Sequence, residues 1–270
     1  MNPLYAALLG VVEGITEYLP ISSTGHLILV SRLLGLKGDG ADAFDIVIQL
    51  GAILAVLVHY RRLLWTRAAG LVTAEKESVA LLVALVLGFV PTALAGLLLR
   101  KQIKLLLFGP APIAAALIAG GILMLVVEAW RSRRGAAGKG IDGLEHVTPR
   151  RAFLIGVGQC FAMWPGASRS MCTIVAGQLT GLSTATSAEF SFLLGLPTLG
   201  AATIYEAYKS REALAGIGGL NVLIGLVVSF FVAWAVVAGF LAYLQKRGLA
   251  PFGVYRVVLG VIVFLALVRG

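Results

Sequence analysis

The chain has 270 residues, of which 59% are apolar and 13% charged, with a net charge of +9. Soluble domains carry roughly a quarter of their residues as charges, so this composition excludes an ordinary soluble protein, which could not cover so much apolar surface. The basic residues fall in short clusters between apolar runs: Arg61, Arg62 and Arg67; Arg100, Lys101 and Lys104; Arg131, Arg133 and Arg134; Arg150 and Arg151. Loops facing anionic lipid head groups have this pattern, and it argues against a nucleic-acid partner and for membrane lipid.

Apolar segments are predicted at 3–19, 24–36, 43–60, 78–99, 105–128, 152–164, 169–182, 187–206, 214–245 and 252–268. Spanning the hydrocarbon core takes about 20 mostly apolar residues, and Ser78–Leu99, Leu105–Val127 and Ala213–Gln245 pass this test without a single charge. With no water in the bilayer core, such runs must be helices, which satisfy their own backbone. The segments 3–19 and 24–36 are too short to span and are broken at Pro20; 152–164 and 169–182 are broken in the same way at Pro165-Gly166. Each pair reads as a re-entrant helical hairpin. The longest polar connection, 132–151, is Gly-rich and charged and holds Pro149, which makes it the natural break between halves. Cys160 and Cys172 lie in apolar sequence and read as packing residues, not a disulfide. The first apolar run lacks a basic flank, so a cleavable signal peptide is not expected.

At an offset of 146 residues, Gly10 falls on Gly156, Ser22 on Ser168, Gly35 and Leu36 on Gly181 and Leu182, Phe44 on Phe190, and Leu50 on Leu196, without a gap. Ordered pairing of this kind reads as duplication. The expected halves are approximately 1–135 and 146–270 of a single membrane domain. Placing 61–77, 129–151 and 246–250 in the cytoplasm gives those loops twelve Lys or Arg, against five in 100–104 and 207–213 plus Arg269. That bias puts both termini outside. The fold expected is an all-α polytopic membrane protein: an inverted repeat of about six transmembrane helices plus two re-entrant hairpins.

The first hairpin holds Glu13 and Glu17, four residues apart and therefore on one helix face, then Pro20, Ser22, Ser23, Thr24 and His26. Intramembrane acids are costly unless paired, hydrated or metal-bound. The second hairpin holds Pro165-Gly166 and then Ser168, Arg169, Ser170 and Thr173. If the hairpins are neighbours, two helix N-termini point at one spot, and their free N–H groups suit phosphate. Arg169 adds a planar fork for phosphate oxygens. At the offset of 146, Glu13 meets Gln159, Glu17 meets Met163, Ser23 meets Arg169 and His26 meets Cys172. The acids and His sit in one copy and the Arg in the other, as a single composite site requires.

Glu13-x-x-x-Glu17 followed by Pro20-x-Ser22-Ser23-Thr24-Gly25-His26 resembles the first signature of the undecaprenyl-diphosphate phosphatase family, also called the bacitracin-resistance protein family. Pro165-Gly166-Ala167-Ser168-Arg169-Ser170 with Thr173 resembles its second, and Phe44-Asp45-x-Val47-Ile48-Gln49-Leu50-Gly51 extends the likeness over essentially the whole chain. The resemblance implies hydrolysis of undecaprenyl diphosphate to the monophosphate at the outer face of the bacterial cytoplasmic (inner) membrane. Such a reaction recycles the lipid carrier of cell-wall synthesis and confers bacitracin resistance. The resemblance also implies a divalent cation.

For the individual residues, several roles stay open at this point. Arg169 clamps the diphosphate or forms a structural ion pair with Glu13 or Glu17. Glu13 and Glu17 hold Mg²⁺ or Ca²⁺, or transfer a proton, or neutralise Arg169. His26 is nucleophile, general base or hydrogen-bond donor; the pairing preferred is His26 as base with Ser23 as nucleophile, with direct attack by water as the other route. Ser22, Thr24, Ser168, Ser170 and Thr173 are phosphate contacts or helix caps. Asp45 and Gln49 support the site from the next span. His59 and His146 read as ordinary, and Trp65, Trp130, Tyr60 and Tyr243 as interfacial belts. A transporter or flippase of a polyprenyl phosphate is the alternative function, because inverted repeats with broken helices also build transporters. An oligomer is compatible with the sequence, which does not decide it.

Overall fold

The computed structural model describes residues 1–36, 38–107, 109–133 and 140–267. Arg134 and Arg269 of the basic clusters lie outside the described residues, as do the side chains of Arg100, Lys101 and Lys104. Thirteen α-helices follow one another among the described residues: α1 Pro3–Thr16, α2 Ser23–Leu33, α3 Asp39–Val47, α4 Gln49–His59, α5 Arg61–Val72, α6 Lys76–Leu107, α7 Pro110–Arg133, α8 Pro149–Cys160, α9 Arg169–Leu179, α10 Thr184–Lys209, α11 Arg211–Ile217, α12 Gly219–Leu244 and α13 Ala250–Leu267. Five stretches are long and apolar enough to cross a membrane: Gly40–His59 (α3 with α4), Lys76–Leu99, Pro110–Arg133, Thr184–Lys209 and Gly219–Leu244. The sixth expected span corresponds to α13, a shorter apolar helix. The chain is thus an all-helical, multi-pass membrane protein.

Two expected loops are helical instead. Residues 61–77 form α5 and the start of α6, and 100–104 are the last turns of α6, a helix of 32 residues. At 1.5 Å per residue such a helix runs about 48 Å, longer than the hydrocarbon core. Its charged end can therefore stay helical beyond the lipid. Charge marks where a chain leaves the membrane; it does not oblige a good helix-forming stretch to unwind.

The two short helix pairs are built alike. Asn2 caps α1, its side chain accepting from the Leu4 amide at 2.9 Å, with Pro3 at the first helical position. Thr148 caps α8 in the same way, with Pro149 at its first position. Proline fits there because that N–H has no intrahelical partner. Ser22 caps α2 and Ser168 caps α9, and both sit at φ 73°, the left-handed region. Gly35 and Gly181, just after the two helices, are also left-handed, at φ 70° and 93°. Each of these pairs is separated by 146 residues.

Packing crosses between the halves. α1 lies along α12, α8 along α6, and α7 along α13. Small residues allow the approach: a Cβ on Gly10 would come within 2.7 Å of the Gly225 carbonyl, and one on Gly121 within 2.7 Å of that of Gly253. Without a hydrophobic force between helices in lipid, such close backbone contact is what dispersion requires. Tyr60 is buried in the largest apolar cluster and Tyr243 packs on Phe240 and Phe252, so these two are core residues, not members of an interfacial belt. Trp65 lies exposed, as a belt residue would. Both cysteines are free.

Candidate active site

The turn after α1 and the turn after α8 lie side by side. The Ser170 hydroxyl donates to the Leu19 carbonyl at 2.9 Å, and Arg169 Nη2 meets Glu17 Oε1 at 3.3 Å, across 152 residues of sequence. Between the turns is a cleft of about 130 Å³ lined by Glu17, Ser22, Ser23, Thr24, Gln49, Pro165, Gly166, Ser168 and Arg169, with Ala162 and Leu199. Gly166, at φ 95°, turns the chain where a Cβ would press within 2.7 Å of the Ile113 carbonyl, so the second hairpin needs glycine there on two counts.

The N-termini of α2 and α9 both open on this cleft. The Ser22 hydroxyl accepts from the Gly25 amide and the Ser168 hydroxyl from the Met171 amide, each at 3.3 Å. The earlier amides, Ser23 and Thr24 in one helix and Arg169 and Ser170 in the other, have no carbonyl one turn back to bind. Two positive helix ends therefore meet at one place, where an anion is stabilised by N–H groups and dipole together.

A chain of polar contacts crosses the floor. Ser23 Oγ donates to Glu17 Oε2 at 2.6 Å, while the other Glu17 oxygen takes Arg169 Nη2. Arg169 Nη1 donates to the Ser191 carbonyl at 2.8 Å and contacts the Ser191 hydroxyl at 3.3 Å. Its guanidinium lies 5.6 Å from the Tyr18 ring centre and against Gly195. Arg169 Nε has no partner. The carboxylate and guanidinium are about a tenth exposed or less, 5% and 8%, so their pairing is not dissipated by solvent as a surface pair would be.

Some expected site residues stand elsewhere. His26 does not join Ser23. Its Nδ1 donates to the Ser22 carbonyl at 2.7 Å, which leaves Nε2 as the acceptor, 2.7 Å from the Tyr255 hydroxyl. Both ring nitrogens are thus engaged by groups other than Ser23, and the hydroxyl of Ser23 hydrogen-bonds Glu17 where His26 was expected. Ser170 and Thr173 lie behind the wall: Ser170 binds Leu19, and Thr173 Oγ1 bonds the Arg169 carbonyl at 2.9 Å and the Ser191 hydroxyl at 2.6 Å. Both stand outside the cleft lining and tie the second hairpin to the first and to α10. Glu13 is fully buried one turn from Glu17, and both its oxygens lack a partner. Asp45 accepts from Ser31 at 3.2 Å, and Gln49 reaches the cleft.

Three contributors were not singled out from sequence: Ser191, Tyr255 and Arg256. Arg256 is fully buried and donates to the carbonyls of Pro20, Ala116 and Gly166 at 3.2, 3.1 and 3.0 Å. The signal was available, since Arg256 is the one charge in the apolar segment 252–268, and intramembrane charges default to function. Ser191 carries no such mark among the many small residues of α10.

Fold and site together define a class: a polytopic helical membrane protein whose two interrupted hairpins close a cleft suited to an anion. A family model described as "Bacitracin resistance protein BacA" matches residues 6–262. A protein named undecaprenyl-diphosphatase from Sorangium cellulosum (strain So ce56) is 55% identical over 260 residues, 96% of this chain and 84% of the relative. Another of that name, from Sphingopyxis alaskensis, is 45% identical over 253 residues, 94% of this chain and 93% of its own. A third, from Deinococcus radiodurans, is 44% identical over 274 residues, 100% of this chain and 97% of its own. The chain belongs to the bacitracin resistance protein BacA family.

Proposed function

We propose that the chain is an integral membrane hydrolase that cleaves undecaprenyl diphosphate to undecaprenyl phosphate and inorganic phosphate, recycling the carrier lipid of cell-wall synthesis and conferring bacitracin resistance. One observation carries the site assignment: Ser23, Glu17 and Arg169 form a continuous chain of contacts at the cleft where two helix N-termini converge. The full-length likeness to the undecaprenyl-diphosphatases supports the substrate.

In this reading the α2 and α9 amides and Arg169 bind the terminal phosphate. Positioned donors of this kind supply the largest share of catalysis where charge develops on oxygen. Ser23 Oγ is the nucleophile and Glu17 the base, a hydroxyl within hydrogen-bond reach of a carboxylate. Glu17 takes the Oγ proton as the Oγ–P bond forms and the bridging P–O bond breaks. That proton then passes to the departing undecaprenyl phosphate. Water attacks the phosphoserine with Glu17 again accepting a proton, which returns to Oγ as inorganic phosphate leaves. His26 fixes the Ser22 carbonyl and with it the turn.

A divalent cation, Mg²⁺ or Ca²⁺, fits the donor set. The two buried, unpartnered oxygens of Glu13 stand one turn from Glu17, and Mg²⁺ commonly takes one or two carboxylates plus phosphate oxygens. Among the described residues no three His, Cys, Asp or Glu gather as a self-sufficient metal site, so Glu13 and Glu17 would hold the ion together with substrate. When bound it supplies neutralisation of phosphate charge.

We place the cleft on the periplasmic side of the cytoplasmic membrane, from the loop charges, and read 1–135 and 146–270 as inverted repeats about it. A cysteine replacing exposed Asp42, in a background without Cys160 and Cys172, tests the side: labelling of intact cells by a membrane-impermeant maleimide is expected, and labelling only after lysis contradicts it. The activity is tested on detergent-purified protein by phosphate release from farnesyl diphosphate. Release with Mg²⁺ or Ca²⁺ that falls to background in Ser23→Ala is expected. Equal release from Ser23→Ala refutes the serine route, and lipid movement in proteoliposomes without any release would replace the hydrolase with a carrier.

A further inference from the structure

We propose that Arg256 is a positioning residue that sets the spacing of the two hairpin turns, and so of the two helix N-termini that face the cleft; this deepens the hydrolase reading and rests on it for its consequence in catalysis. Arg256 stands on α13, outside both hairpins and outside the cleft lining. Its Nη1 donates to the Pro20 carbonyl at 3.2 Å, and its Nη2 donates to the Gly166 carbonyl at 3.0 Å and to Ala116 on α7 at 3.1 Å. Pro20 and Gly166 are 146 residues apart, so the guanidinium takes equivalent carbonyls, each two residues before the capping serine of its helix. One rigid, planar group thus bridges the same point of both turns, a task for which a fork of fixed geometry is suited and a flexible ammonium is not.

No other feature of the described structure accounts for the charge. Arg256 is fully buried, no carboxylate pairs with it among the described residues, and all three of its hydrogen-bond partners are backbone carbonyls. A buried charge held only by carbonyl dipoles is expensive in a membrane, and a neutral side chain would serve ordinary packing better. The surroundings are also shaped for it. A Cβ on Gly120 of α7 would collide with Nη2 and come within 3.0 Å of Cζ, so α7 leaves the space that the guanidinium occupies.

The test uses two variants that fail in different ways. Arg256→Lys keeps the charge but cannot span both turns, and Gly120→Ala keeps the arginine but displaces its guanidinium. Each is made in a Cys160→Ala/Cys172→Ala background with spin labels at Leu33 and Leu179, exposed last residues of α2 and α9, and the label-to-label distance is measured by pulsed electron resonance in detergent. A broadened or shifted distribution is expected in both variants. Without the labels, kcat on farnesyl diphosphate is expected to fall about 100-fold, the cost of misplacing reacting groups by about 1 Å, with KM within about threefold. A merely structural arginine would lower the folded yield but leave kcat per folded molecule. An unchanged distance distribution overturns the proposal, and so does a loss confined to KM. Because the distance arm needs no turnover, a parent protein without phosphatase activity would sink the hydrolase reading while leaving the clamp to be judged by the labels.

Discussion

Replacing Arg169 by alanine isolates the anion clamp. Nη1 is committed to Ser191 and one Nη2 hydrogen faces Glu17. That leaves Nε–H, which has no partner, and the second Nη2 hydrogen as the two donors that would serve phosphate oxygens under the proposed function. Removing one well-placed oxyanion donor costs about 10²–10³ in rate, near 3–4 kcal/mol. Two donors acting together are not additive, so a loss of at least about 10³ in kcat/KM is expected, equivalent to roughly 4 kcal/mol. Arg169→Lys retains a positive charge without the fork and should fall between this variant and the parent. The assay is phosphate release from farnesyl diphosphate, normalised to monodisperse protein, because alanine also strands the buried Glu17 carboxylate and lowers the folded yield. An Arg169→Ala enzyme within tenfold of the parent kcat/KM, at normal yield, would mean that the guanidinium only neutralises Glu17 and that the phosphate is held elsewhere.

Glu13→Gln should raise the Mg²⁺ concentration for half-maximal phosphate release by about tenfold or more, since it removes one of two carboxylates from the proposed ion; chelator should abolish release in the parent, and an unchanged Mg²⁺ dependence would take Glu13 out of the ligand set. Gly156→Ala would drive a methyl into the Gly88 carbonyl of α6 and should lower thermal stability in detergent, by about 1–3 kcal/mol of overpacking. Ser168→Ala should cost about 1 kcal/mol, losing the α9 cap while keeping the left-handed φ of 73°, whereas Ser168→Gly should cost only a few tenths. Equal melting temperatures for those two would show that neither the cap nor the backbone conformation matters at that turn.

Much of the architecture was legible because a membrane permits few solutions. Uncharged runs such as Ser78–Leu99 can only be helices, and Pro20 and Pro165-Gly166, each closely followed by a capping serine, marked their breaks, whereas Pro91 and Pro197 lie inside α6 and α10. The paired serines and glycines at a spacing of 146 marked turns that proved to share their φ values at Ser22 and Ser168. Less legible was where helices end: 100–104 and 61–72 looked like loops and are helical, because local propensity continues a helix past the lipid boundary that hydropathy detects.

The division at the site follows from the range of the forces. Residue identity alone settled that Glu17, Ser23 and Arg169 needed partners, since a charge or hydroxyl at that depth is costly without one. Which partner each would find depended on directions that no spacing rule encodes. His26, one turn from Ser22, was close enough in sequence to serve Ser23, yet its ring turns to the Ser22 carbonyl and Tyr255, and Glu17 accepts the serine hydrogen bond instead. Arg256 waited at the far end of the chain, 236 residues from one of the carbonyls it binds. Helices and breaks are dictated by neighbours a few residues away and by the solvent, so the sequence by itself determined them. Hydrogen bonds between distant segments are decided only when packing brings those segments within about 3 Å.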